Sequence, residues 1–197
     1  MFRRLLALGL LFLLVACAGY KLVPPAQTTV ANFSVAPDIA WSQASHLTLQ
    51  SSAPIAAWTV DGPALNQILF LGGVKSGDPL FTPSNRGTDE QKKNIAFRDT
   101  MGPAEIAELW EAVFAQFAQT TLAATSNVEP ARFGGIEGFK FDFAFTSKDE
   151  VERRGVIYGA VKDKKLYLIY YTGTKLYHYG LRLPNAMKAI ESARIVG

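Results

Sequence analysis

The sequence predicts an α+β fold: an antiparallel β-sheet with a long helix and a C-terminal helix packed on it. Three observations predict it. Apolar residues recur at three and four over Ile106, Trp110, Val113, Phe114, Phe117 and Thr121, the period of a helix with one buried stripe. The period then drops to two, with Phe139, Phe141, Phe143 and Phe145 alternating with Lys140, Asp142, Ala144 and Thr146, as in a half-buried strand. Short connections join the apolar runs that follow, which makes neighbouring strands antiparallel.

The chain opens with Arg3 and Arg4, then an apolar run from Leu5 to Val15. A bilayer span needs roughly 20 apolar residues, so this run has the length and flanks of a signal-peptide core. It ends Leu14-Val15-Ala16-Cys17, which resembles the bacterial lipobox. The resemblance implies a diacylglycerol on the Cys17 thiol, cleavage before it, and acylation (typically palmitate) of the new amine. It also implies a bacterial envelope location, and Ala18 in place of Asp favours the outer membrane, facing the periplasm. Residues 1–16 are then a signal peptide, 17–30 a lipidated tether stiffened by Pro24-Pro25, and 31–197 one domain. Cys17 is the single cysteine, so no internal disulfide forms. With 20 basic and 17 acidic side chains the net charge is +3, and loss of Arg3 and Arg4 leaves +1. That balance gives no support to nucleic-acid binding.

Val30 to Val35 reads as a short strand with Phe33 and Val35 on one face. Ala56 to Val60 is a second, ended by Asp61-Gly62-Pro63, and Leu65 to Val74 a third, ended by Gly77-Asp78-Pro79. Residues 82–94 are the most polar stretch and read as a surface loop. The long helix has Gly102 at its N-cap, Pro103 at N1 and Glu105 at N3, with Met101 and Ile106 as a hydrophobic staple. It is expected to reach about Ala124. Val156 to Val161 and Leu166 to Thr172 are strands joined by the Lys162 to Lys165 turn. A helix from about Pro184 to Ala193, burying Met187 and Ile190, closes the chain.

This order resembles the PsbP-like fold, an α/β/α sandwich named for an extrinsic subunit of photosystem II. The residues that carry the likeness are Met101-Gly102-Pro103-Ala104-Glu105-Ile106, Gly138-Phe139-Lys140-Phe141, Lys165 to Tyr171 (KLYLIYY) and Ala189 to Arg194 (AIESAR). The Trp58 to Leu80 segment is similar to small bacterial lipoproteins of unknown function. Such domains are mostly assembly and binding modules, and no catalytic residue comes with either resemblance.

The search for chemistry gives little. His46 and His178 stand far apart, with no ligand-spaced partner for a metal. Glu105, Glu108 and Glu111 read as a solvated helix face rather than an acid/base or Ca²⁺ set. There is no G-x-S-x-G elbow. Gly72-Gly73-Val74-Lys75-Ser76 lacks the glycine before lysine of a P-loop, and Gly134-Gly135 precedes a strand, so both read as turns or bulges. The aromatic second half is the least bland feature. Trp58, Tyr167, Tyr171, Tyr177 and His178 are the candidate ligand-binding residues, lining a groove or only capping a core. The expectation is therefore a non-enzymatic interaction or assembly domain with an envelope protein partner, and with no cofactor beyond the covalent lipid. The alternative is a carrier or sensor of an apolar ligand, and less favoured still is a hydrolase with a sequence-distant triad.

Overall fold

The computed structural model describes residues 19–82, 95–118 and 123–197, and of residues 116–118 the backbone alone. Cys17, Thr121, the Phe117 side chain and all of the 82–94 loop except Thr82 lie outside the described residues. In chain order the elements are β1 (Tyr20–Val23), β2 (Thr28–Val30), β3 (Phe33–Val35), β4 (Trp41–Ala44), β5 (Ile55–Thr59) and β6 (Asn66–Lys75). Then come α1 (Pro103–Ala118), β7 (Ala123–Phe133), β8 (Ile136–Thr146), β9 (Glu152–Lys162), β10 (Lys165–Thr174), α2 (His178–Ser192) and β11 (Arg194–Ile195). Eight strands form one antiparallel sheet in the order β1-β4-β5-β6-β10-β9-β8-β7, and β11-β3-β2 form a small second sheet.

The large sheet is covered on both faces. On one, Ile106, Trp110 and Val113 of α1 pack on Phe139, Phe141, Phe143, Leu168 and Tyr170. Trp110 stands edge-on to Phe143 at 6.1 Å. On the other, Ala186, Ala189 and Ile190 of α2 join Phe33 and Val35 over Trp58, Phe70, Tyr167, Ile169 and Tyr171. The alternation along β10 divides its side chains between these two cores, so the strand is buried on both faces. The periods predict a sheet with two helices packed on it, and the α/β/α arrangement is the one that the PsbP-like resemblance implies.

The start of α1 follows its sequence signals. The Gly102 N–H donates to Glu105 Oε2 at 2.8 Å, and the Ile106 N–H donates to Gly102 O at 3.0 Å. That is the return half of a capping box, with glycine in place of serine. The glycine pairs are turns and bulges as expected. Gly73 has φ +95° and is skipped in the β6–β10 register, while Gly134 and Gly135 (φ +63° and +93°) turn β7 into β8.

Three boundaries differ. The helix ends at Ala118 rather than Ala124, because Ala123 and Ala124 pair with Phe145 and Ala144 as the start of β7. β7 is an outermost strand with a polar sequence, a bulge between Ser126 and Glu129, and Pro130 within it, features that an edge tolerates. The stretch expected as a tether is folded from Tyr20 onward. β1 pairs with β4 and β2 with β3, and Val23 is buried against the core. Pro24-Pro25 bars a central strand, but β1 is at the sheet edge and stops before it. α2 starts at His178 rather than at about Pro184, which lies inside it. Ile190 is buried and Met187 packs half-buried against the same core, as expected.

Candidate functional site

One end of the sheet gathers the β5–β6 turn, the β10–α2 turn and the first turns of α2. The β5–β6 turn is built on Asn66, which is fully buried. Its Oδ1 accepts from the Val60 N–H at 3.1 Å, and its Nδ2 donates to Asp61 Oδ2 at 2.6 Å. The Thr59 hydroxyl donates to Asn66 O at 2.7 Å and accepts from the Gly62 N–H at 2.9 Å. Asp61 is thereby aimed at α2, where Arg182 meets it as a fork: Nε to Oδ2 and Nη2 to Oδ1, both 2.8 Å. Bidentate charge-assisted pairs of this kind fix orientation as well as adding energy. The Arg182 hydrogen bond, ahead of its charge and the Asn66 bond, holds the Asp61 carboxyl below its ordinary value despite some desolvation. The same bond raises Arg182.

The β10–α2 turn is fixed from beneath. The Tyr171 hydroxyl is shared between the carbonyls of His178 and Tyr179, each at 3.0 Å, and its ring stacks on Tyr179 at 5.6 Å. Burial pushes the Tyr171 phenol well above its ordinary range. Thr174 Oγ1 lies 2.9 Å from His178 Nδ1 and accepts from the His178 N–H at 3.3 Å, so it ties the first residue of the helix back to the end of β10. A Cβ on Gly173 would stand 2.6 Å from Tyr179 N, so only glycine lets the helix start sit this close to β10. The Thr174 N–H donates to Leu65 O at 3.0 Å, which joins the two turns.

On this frame the apolar side chains point outward. Leu176 is 96% exposed, Tyr177 63%, Leu181 42% and Leu65 37%. The Lys175–Glu152 ion pair at 2.6 Å and the Asp61–Arg182 pair flank them.

The structure separates the residues singled out in the sequence. Tyr177 and His178 stand at this tip, with Tyr171 supporting them from the core. Trp58 and Tyr167 do not line a groove with them. Trp58 is buried against Phe70 at 4.5 Å, its indole N–H donating to Gln43 Oε1, and Tyr167 is buried with its hydroxyl donating to Gly197 O. The aromatic groove is therefore core on both faces of β10, because a helix covers each. The ring of His178 partners Thr174, neither a serine nor an aspartate. Glu111 Oε2 accepts from the Thr125 N–H and hydroxyl, Glu105 caps α1, and Glu108 is exposed, so the three do not converge. Among the described residues no group of three or more His, Cys, Asp or Glu could hold a metal ion. The Asp61–Arg182 pair escaped the sequence reading, since its members are 121 residues apart. The Asp61-Gly62-Pro63 turn was its one visible trace.

No family model matches the chain, and no curated protein matches it in sequence. Solved structures do. The solution structure of cyanobacterial PsbP (CyanoP) from Synechocystis aligns over 90% of this chain and 93% of its own, with a TM-score of 0.54 and 9% identity. LpqN of Mycobacterium tuberculosis, described as involved in cell envelope biogenesis, aligns over 91% and 86%, with a TM-score of 0.34 and 10% identity. At 9% identity the likeness to CyanoP is one of fold, and the fold is PsbP-like.

Proposed function

We propose that the chain is a bacterial envelope lipoprotein, held in the outer membrane by lipid on Cys17, whose periplasm-facing domain is a non-catalytic interaction module. Its partner is an envelope protein with an apolar recess. One observation carries this reading: Leu176, almost fully exposed, beside Tyr177 and Leu181 on a turn braced by Tyr171, Thr174 and the Asp61–Arg182 fork. Burying a leucine or tyrosine of this kind on docking contributes about 1.5–3 kcal/mol each. A rigid turn loses little entropy when it docks. The flanking ion pairs supply the polar rim that bounds such contacts.

The test is a photo-crosslinking residue at position 176 in cells, with palmitate labelling of the wild type and Cys17→Ser. The reading expects a discrete adduct with an envelope protein, lost in Leu181→Asp, and label that depends on Cys17. No adduct from 176 refutes the docking tip. Label that persists in Cys17→Ser refutes the anchor.

A second reading, a carrier of an apolar ligand, is favoured by a different place. A cleft of about 370 Å³ lies against Phe114, Phe145 and Tyr170, and Arg153 and Thr172 also line it. The Tyr170 hydroxyl is buried there beside Thr172, but the two are not in hydrogen-bonding geometry. Native mass spectrometry of the purified protein decides. A retained lipid-sized mass supports a carrier, and its absence with Tyr170→Phe unchanged in stability argues against one.

A further inference from the structure

The β1 side of the molecule is almost free of charge. Counting Lys, Arg, Asp and Glu, only Lys21 and Asp38 are charged among the 44 residues from Cys17 to Val60, whereas the 137 residues from Asp61 to Gly197 carry 33. The fold collects this segment on one flank. β1, β4 and β5 are the three outermost strands on one side of the large sheet, and β2 and β3 pack beside them. Burial accounts for the lack of charge on β5 but not for the rest. Tyr20, Leu22 and residues 24–27 are exposed in and after β1, as are Ser45 and His46 after β4. Exposed positions are where charged residues ordinarily stand. Asp38 is turned to α2, where Asn185 Nδ2 donates to it at 3.0 Å, which leaves Lys21 as the flank's one fixed charge.

The same flank holds the start of the fold. The Ser45 N–H donates to Gly19 O at 2.9 Å, so the ladder between β1 and β4 begins at Gly19. Cys17 is two steps of chain before it, a reach of at most about 7 Å. Lipid on Cys17 would bring the bilayer that close to the sheet edge. It would meet the edge partway along its length, because the register sets Tyr20 level with Leu69 and Tyr170. Tyr20 and Leu22 share a face of β1 and are 48% and 67% exposed.

We infer that the lipidated chain lies with its β1–β4 flank on the bilayer, strands along the surface and Tyr20 and Leu22 at the lipid–water boundary. The inference rests on the reading that Cys17 carries lipid. A flank with one charge loses little hydration where it meets the headgroups. Tyrosine suits that boundary because its ring is apolar and its hydroxyl is wet, and Lys21 can reach the phosphates from beside it. A free strand edge cannot enter the hydrocarbon, where its amides would find no partner, so the flank stops in the headgroup layer. With strands about 4.8 Å apart, β10 then stands about 20 Å and β7 about 34 Å above β1. The Leu176 tip, which follows β10, projects sideways at that intermediate height, open to a partner in the same membrane.

The test uses the full lipidated protein in vesicles. An acylated Cys17 is a thioether, so a cysteine introduced elsewhere is the one reactive thiol. Ala26→Cys and Ser45→Cys, at the two ends of the flank, and Val128→Cys and Leu176→Cys, away from it, each carry an environment-sensitive fluorophore, with headgroup-nitroxide lipid as quencher. Quenching is expected at 26 and 45 together, and not at 128 or 176. It is expected on zwitterionic vesicles and at all salt concentrations, since charge does not drive it. The exposed parts of Tyr20 and Leu22 amount to about one whole side chain, so Tyr20→Glu with Leu22→Glu should cut quenching at 26 roughly tenfold, with Leu22→Ser alone giving a smaller cut. Circular dichroism on each variant should show the folded state retained. Intact mass on the same samples reads the acyl group. Acylated protein without quenching at 26, with quenching at 128 or 176, with quenching on anionic vesicles alone, or with quenching that the folded glutamate variant leaves unchanged, overturns the seating alone. An unacylated Cys17 overturns the lipoprotein reading and this inference with it.

Discussion

Arg182→Met removes the fork that ties α2 to the β5–β6 turn and keeps most of the side-chain volume. Two charge-assisted bonds of 2.8 Å are lost, while Asn66 still serves one oxygen of Asp61. A hydrogen bond to a charged group contributes about 1.5–3 kcal/mol. The side chains of Arg182 and Asp61 are 26% and 24% exposed, so water screens part of this and about 1–2 kcal/mol remains. For a domain of this size each kcal/mol moves Tm by about 2–4 °C, which predicts a fall of roughly 2–8 °C at neutral pH. The pH dependence has a defined sign. The folded carboxyl titrates below its ordinary value of 3.8, so its contribution is complete above that value and is lost as pH falls through the folded value. The gap between wild type and variant in thermal unfolding followed by circular dichroism should therefore close in acid. In a cycle with Asp61→Asn, the double variant should lose no more than either single one. Equal gaps at neutral and acid pH, or additive losses, would refute the ionic fork as the tie.

Gly173→Ala places a Cβ 2.6 Å and 2.7 Å from the Tyr179 N and Cα, backbone that does not yield, so the urea midpoint should drop by the equivalent of about 1–3 kcal/mol. Phe143→Ala, in the core beneath α1, should cost about 3–5 kcal/mol by chemical denaturation. Leu176→Ala should change the same measurement by less than about 0.5 kcal/mol, since the side chain touches water; a larger loss would mean the tip is part of the core. Burial raises Tyr170 and Tyr171 above their ordinary value of 10.0, so the unfolded state ionises first. Stability should fall as pH rises through that value, and absorbance titration should show these two phenols ionising only with unfolding.

The elements legible in the sequence are those whose own side chains decide them. The Gly102-Pro103-Ala104-Glu105 start of α1 and the four alternating phenylalanines of β8 each pair a local signal with a buried face. β7 was not legible, because its polar residues and Pro130 show no period. It is a strand through its ladder to β8, which only the fold supplies. The start of α2 was hidden because Pro184 read as the beginning of the helix rather than a residue inside it. The backbone there is held by Tyr171, Thr174 and the close approach at Gly173. The same causes limited the site. Tyrosines at 167 and 171 look alike in sequence to those at 177 and 179. Burial under α2, a long-range event, is what makes the first two core.

The outermost strands of the large sheet have a consequence for encounters between copies of the chain. β7 breaks its free side with a bulge at Asn127 and with Pro130, which has no N–H to offer, and β1 is four residues long. Neither edge is a long, flat template for another strand. In a sheet protein each such encounter is a chance to zip edge to edge. The irregularities that hid β7 from its sequence pattern also deny such an encounter a regular edge on which to extend the sheet.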